Sequence, residues 1–470
     1  MNEDKLKNND SIQKNTLSIF QIAVMTTICV ASLRTLPPMA EEGRASILMY
    51  IIPAILFLIP TSLVSAEFAT TYKGGIYVWI REAFGNRMGF VAIWLQWIQN
   101  VVWYPVQLAF VAAALAFTIN RGDLSNSGLF TAVVIIVVYW FSTFLAFKGG
   151  NLFAKVSSIG GMIGVLIPGA ILIILGLLWI AQGQPISESY LQSSYIPKIT
   201  GISSLVLIVS NVLSYAGMEM NAVHAGQMEN PKKDFTKAIA LAFILILCVF
   251  IFPTLAIAIA IPADKLGMAN GIMVAFQEFF EKLNISWMSN VISGAMFFGA
   301  ISSVVTWVAG PSKGLLDAGK TGLLPPILQK VNKNNVQVNI LIFQGIIVTI
   351  LAMIYVLFPD VSDVFIALIG MAAALYVIMY MLMFAAIIVL RKKEPSIERG
   401  YKVPAVNIVS GIGFISCALA FVMSFIPTTS EAAIPRNMYP IVVAIVVFLL
   451  GIPPFIFYMF TVSYTHLTLP

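Results

Sequence analysis

The sequence predicts an all-α membrane protein: twelve transmembrane helices, ten of them in two inverted five-helix repeats, with two more at the C-terminal end. Three observations carry this prediction. Of the 470 residues, 59% are hydrophobic and only 10% charged, where a soluble domain carries about a quarter charged residues. The charges fall between apolar runs of about 20 residues or more, the length a bilayer requires. Two of those runs are interrupted at matching places in the two halves.

The runs cover approximately 17–40, 45–68, 88–119, 128–147, 151–181, 201–226, 235–261, 287–312, 336–358, 362–390, 404–426 and 438–461. Residues 1–16 form a polar segment, and the run behind them is too long for a cleaved signal. The first repeat is 17–181, the second 201–390, and helices 11 and 12 occupy 404–461. The tail 462–470 lacks the charges of a cytoplasmic end and is set aside as a scar, with His466. If residue 1 is cytoplasmic, 20 of the 27 Lys and Arg lie on that side; Arg44, Arg121, Lys198, Lys265, Lys282 and Arg436 lie opposite, and Arg34 lies inside run 1. This asymmetry follows the positive-inside rule, so both termini are expected in the cytoplasm. The net charge of +6 therefore encodes topology rather than nucleic-acid binding. Cys29, Cys248 and Cys417 all sit inside apolar runs, at no disulfide or metal spacing. No cofactor or metal is expected.

Run 1 reads C-V-A-S-L-R-T-L-P-P-M-A from Cys29. Pro37 and Pro38 each remove a helix donor. Run 6 ends S-Y-A-G-M-E-M-N-A-V-H from Ser214. Gly217 weakens that helix by about 1 kcal/mol relative to alanine, and Glu219 costs about 2.5–3.5 kcal/mol near the bilayer centre. Both irregular stretches begin about 15 residues into their run, Leu17 to Ser32 and Gly201 to Ala216. Runs 1 and 6 open successive halves, and an odd number of spans per half inverts the second. Broken helices at corresponding positions of inverted halves point to a transporter's binding site. Lipid tolerates their freed backbone groups only where they line a cavity.

Other polar groups inside runs are few. Gln96, Asn100, Trp103 and Gln107 share one helical face in run 3, with Gln99 beside them. They suit either a pathway lining or interhelical hydrogen bonding. Tyr376 and Tyr380, one turn apart in run 10, have the same two readings, and Trp307 follows Ser302 and Ser303 in run 8. Arg34 is read as a cation facing a cavity, where it holds a substrate carboxylate or pairs with Glu219; the alternative is snorkelling toward Glu41 and Glu42. Glu219 is read as an ammonium receptor or a proton-coupling group; the alternative is a structural ion pair. His224 is a candidate pH sensor, against a plain helix-terminus contact. Lys232, Lys233 and Arg391 to Lys393 read as topology determinants. The loop after run 2, A-E-F-A-T-T-Y-K-G-G-I-Y-V-W-I-R-E-A-F-G, is too polar to span and too apolar for water, and should fold against the cytoplasmic mouth.

These segments resemble a known superfamily. A-E-F-A-T from Ala66 with G-G-I-Y-V-W-I after it resembles the amino acid–polyamine–organocation superfamily. Within it, S-Y-A-G-M-E-M-N-A-V-H-A-G-Q-M-E-N-P-K-K-D from Ser214, T-W-V-A-G-P-S-K-G from Thr306 and L-L-P-P-I-L-Q-K-V-N-K-N-N-V-Q-V from Leu323 resemble the bacterial glutamate/γ-aminobutyrate antiporters. The resemblance implies the leucine-transporter type of 5+5 fold plus two helices, in a bacterial cytoplasmic membrane. It also implies substrate contacts at Ser32, Leu33, Arg34 and Thr35 and at Tyr215, Ala216 and Gly217. Trp307, Tyr376 and Tyr380 would line the cavity, with Glu219 beside the site. One departure stands out: S-L-R-T-L-P replaces the glycine-rich break of many members, and the exchanger group lacks an arginine there.

The expected function is secondary transport of an amino acid or amine, most simply exchange of a glutamate-like amino acid for its decarboxylated, γ-aminobutyrate-like amine or for another amino acid. Proton-coupled symport is the alternative, with protons as the further partner. An intramembrane enzyme would need a set such as H-E-x-x-H or a serine–histidine pair, and the sequence holds neither.

Overall fold

A computed structural model of the chain describes residues 17–148, 160–197, 211–267, 269–358, 360–427, 435 and 437–457. Among these residues there is no strand. Run 1 is a bent pair, α1 (Ile19–Val30) and α2 (Leu33–Ala40), meeting at 44°. Then follow α3 (Gly43–Thr71), α4 (Ile76–Phe84), α5 (Asn86–Thr118), α6 (Gly128–Lys148), α7 (Met162–Ala181) and the short α8 (Glu188–Gln192). After a broken segment come α9 (Pro231–Ala260), α10 (Gly271–Lys282), α11 (Trp287–Ala318), α12 (Val338–Leu357), α13 (Val361–Lys393), α14 (Val406–Met423) and α15 (Tyr439–Phe457). Ten of these are long and apolar enough to cross a membrane, and the bent pair makes up to eleven. Run 6 is described only from Asn211, so its first half, 201–210, lies outside the described residues, as do 1–16 and the tail 462–470.

The centre of the bundle is α5, packed against α11 and α13. Its most apolar window is 78% buried, against 28% for α14 and 11% for α15, which places the last two helices at the rim. Outward faces carry Phe141, Ile350, Leu357 and Phe448, each more than half exposed. An apolar surface of this extent fits lipid tails, not water.

Gly164 of α7 and Gly299 of α11 meet backbone to backbone; a Cβ on Gly164 would stand 2.4 Å from the Gly299 Cα. Small residues let membrane helices approach this closely, and the approach brings Ala300 and Ser303 to the interior. The polar loop after run 2 forms α4, whose Trp79 is fully buried and stacks on Phe68 of α3 at 4.8 Å. That helix packs across the end of the bundle formed by α5 and α13, as the loop's mixed composition predicts.

Candidate functional site

Both expected helix breaks are present. Val30 ends α1, and Ala31 and Ser32 take extended backbone (ψ 124° and 120°) before the chain turns into Leu33–Thr35. Thr35 Oγ1 ties the turn by donating to Ser32 O (2.8 Å). In run 6 the helix stops at Ser214, and the chain resumes only as a loose 3₁₀ segment, Met220–Gln227. Gly217 sits at φ +117°, a conformation that glycine adopts and L side chains resist. The breaks are held together by Asn221 Nδ2 donating to Thr26 Oγ1 (3.2 Å) and by the Leu17 N–H donating to Gln227 O (2.9 Å).

Beside the breaks lies a cavity of about 390 Å³, within the range of small-molecule sites. Ala31 to Thr35, Ser214 and Ala216 form its broken-helix wall. Gln99, Asn100, Trp103 and Gln107 form another wall, with Ala300, Ser303 and Trp307 of α11. The run 3 face thus lines the cavity from Asn100 onward, while Gln96 points elsewhere. One end of the cavity reaches the partly exposed Glu41, past the buried Phe365; the other stops at Tyr376.

Behind Tyr376 the structure is sealed. Glu219 is 3% exposed and does not line the cavity. Its Oε1 accepts from Tyr376 (2.7 Å) and Gln96 Nε2 (3.3 Å), and its Oε2 accepts from Tyr380 (2.6 Å). The Tyr380 hydroxyl in turn accepts the Gly217 N–H at 2.8 Å. Phe57 packs edge-on against Tyr380 at 4.9 Å. These three bonds knot run 6 to α5 and α13.

Farther along the same side, Glu67 of α3 is fully buried. Arg391 donates to it through Nε (2.6 Å) and Nη2 (2.5 Å), and the Val403 N–H through a further 2.7 Å bond; Arg399 Nε stands 3.1 Å away. Lys232 pairs with Glu398 nearby. Tyr376 to Arg391 is 15 residues on α13, about 22 Å at 1.5 Å per residue. One helix therefore carries the cavity wall, the seal and this latch.

Several expectations change. Arg34 lines the cavity, but it does not pair with Glu219, because Tyr376, Tyr380 and Gln96 already satisfy that carboxylate. Tyr215, Gly217 and Tyr380 do not line the cavity either: Tyr215 turns its hydroxyl onto Tyr50 O (2.9 Å), and the other two bond each other. His224 sits on the 3₁₀ segment away from the cavity. Arg391, read as a topology determinant, is a buried ion-pair partner. Glu41, named above only as a neighbour for a snorkelling Arg34, lies on the cavity wall and is half-buried. Burial, with Glu42 beside it, pushes its carboxyl up to about 7. A carboxyl held above its ordinary value stabilises the fold while protonated, and that contribution is lost as pH rises through 7. Glu41→Gln should therefore raise the melting midpoint in detergent at pH 8 and leave it unchanged at pH 5. Equal shifts at both values would mean that Glu41 does not titrate in this range.

Comparison with known proteins agrees with this architecture. A sequence model of the family described as "Amino acid permease" matches residues 15–450. An uncharacterized transporter of Legionella pneumophila is 40% identical over 420 residues, covering 88% of this chain and 90% of the relative. A glutamate/γ-aminobutyrate antiporter of Lactococcus lactis is 30% identical over 457 residues, covering 95% and 91%. A probable agmatine/putrescine antiporter of the same species is 25% identical over 447 residues, covering 93% of each. The chain belongs to the amino acid permease family of the amino acid–polyamine–organocation superfamily, and is a transporter, not an enzyme.

Proposed function

We propose that the protein is a secondary antiporter that exchanges an amino acid, glutamate-like, for its decarboxylated amine, γ-aminobutyrate-like, or for another amino acid, by alternating access. The observation that carries this reading is the cavity beside both helix breaks, which reaches Glu41 at one end and stops at the Tyr376–Glu219 seal at the other. A site reachable from one end and shut at the other is one half of an alternating-access cycle. The two inverted repeats, 17–181 and 201–390, supply the symmetry by which the second half would follow. With both termini in the cytoplasm of a bacterial cell, the Glu41 end faces outward and the Glu67–Arg391 latch closes the inner face. The names of the Lactococcus relatives support exchange and an amino acid or amine as cargo.

Proton-coupled symport is the second reading, and Glu219 favours it. Its carboxylate is separated from the cavity by the Tyr376 hydroxyl, a route by which a proton can pass. Counterflow in proteoliposomes separates the two. Antiport predicts uptake of labelled L-glutamate only into vesicles preloaded with glutamate or γ-aminobutyrate. Uptake into empty vesicles, driven by an imposed proton gradient, would overturn antiport in favour of symport.

A further inference from the structure

Arg34 is a cation in the cavity without an anion. Its guanidinium carbon lies 5.7 Å from the Trp103 ring centre and 5.8 Å from that of Phe365. Its Nε is buried without a hydrogen-bond partner, and the side chain makes no ion pair among the described residues. Glu41 lines the same cavity but is not within ion-pair distance; Glu219 lies behind Tyr376 with its oxygens occupied. Two aromatic faces offset part of the cost of burying a guanidinium, but an unpaired charge remains expensive. A planar guanidinium is also the group that best grips a carboxylate, through two parallel hydrogen bonds. The Gln107 amide, on the same wall, likewise has a buried oxygen without a partner.

Position gives the inference its content. Arg34 stands by Phe365, about three helical turns along α13 from Tyr376. The run 6 break lies toward the Tyr376 end, because its Gly217 N–H bonds Tyr380, one turn along α13 from Tyr376. A ligand that sets its amino end at that break turns its far end toward Arg34. We propose that Arg34 recognises the distal carboxylate of the substrate: the γ-carboxylate of a glutamate-like acid, which is also the one carboxylate its decarboxylated amine keeps. Both exchange partners then share one anchor, and a diamine such as putrescine, which has no carboxylate, meets like charge at Arg34. This rests on the reading of the cavity as the substrate site.

The test is binding of L-glutamate, L-glutamine, γ-aminobutyrate and putrescine to purified protein in detergent. Wild type should bind glutamate and γ-aminobutyrate at least tenfold more tightly than glutamine and putrescine. Arg34→Gln should weaken the first two tenfold or more and leave glutamine unchanged, while Arg34→Lys should keep the preference at reduced affinity. Glutamine binding as tightly as glutamate to wild type would overturn the proposal, as would an Arg34→Gln variant that loses both equally. Ala372→Trp, which fills the cavity, separates the two levels. If all four ligands still bind that variant as they bind wild type, the cavity is not the substrate site, and the functional reading fails with the inference. If Ala372→Trp abolishes binding but wild type does not prefer glutamate to glutamine, only the role of Arg34 fails.

Discussion

Glu219→Gln is expected to abolish exchange, or at the least to remove its pH dependence. The carboxylate oxygens accept from Tyr376, Tyr380 and Gln96. An amide in its place presents a donor toward one tyrosine hydroxyl. Tyr380 already accepts the Gly217 N–H, so turning to accept the amide as well would leave its own O–H without the acceptor it now has. Leaving a buried donor or acceptor unsatisfied costs about 1–3 kcal/mol. Here that loss falls on the contact that fixes the run 6 break to α13. The variant also loses the one carboxylic acid at the seal, so any coupling through its protonation goes with it. The measurement is counterflow of labelled glutamate from pH 5 to pH 8, with a melting curve to check folding. Wild-type rates across that range in a folded variant would remove Glu219 from the mechanism.

The largest expected effect on stability is at Glu67. Removing its carboxylate leaves Arg391 and Arg399, whose side chains are 16% and 4% exposed, without their anion. Deleting one partner of a buried pair costs about 3–5 kcal/mol, because the remaining charge is stranded. It also frees the Val403 N–H, which fastens the loop after α13 to α3. Glu67→Ala should therefore lower the melting midpoint in detergent by many degrees. Lys232→Ala is the comparison. It breaks the pair with Glu398, whose side chains are 49% and 85% exposed, and exposed pairs contribute about 0–1 kcal/mol. Similar shifts in the two variants would mean that burial adds nothing at Glu67.

Applied evenly, the rule that singled out Glu219 would also have found the latch. Glu67 is a carboxylate inside an apolar run, so it needed a cation, and Arg391 and Arg399 stood at the end of another run. The A-E-F-A-T segment reads first as a family signature, and Arg391 as a topology determinant. Glu41 was missed for a different reason. Nothing local distinguishes it from Glu42, and its place on the cavity wall depends on how the preceding α2 packs against α9 and α10.

The apolar runs, the placement of charge between them and the two interruptions belong to the sequence. They are set by local composition and by the rule that lipid leaves no backbone group unsatisfied, and so need no knowledge of neighbours. Which polar side chain meets which is a different matter. Arg34 and Glu219 both sit beside helix breaks and carry opposite charges, so the chain alone allows them to pair. The fold separates them, because α13 inserts Tyr376 between the cavity and Glu219 and brings Tyr380 to the other oxygen. That contact joins residues more than 150 positions apart, and only packing three helices around one carboxylate decides it.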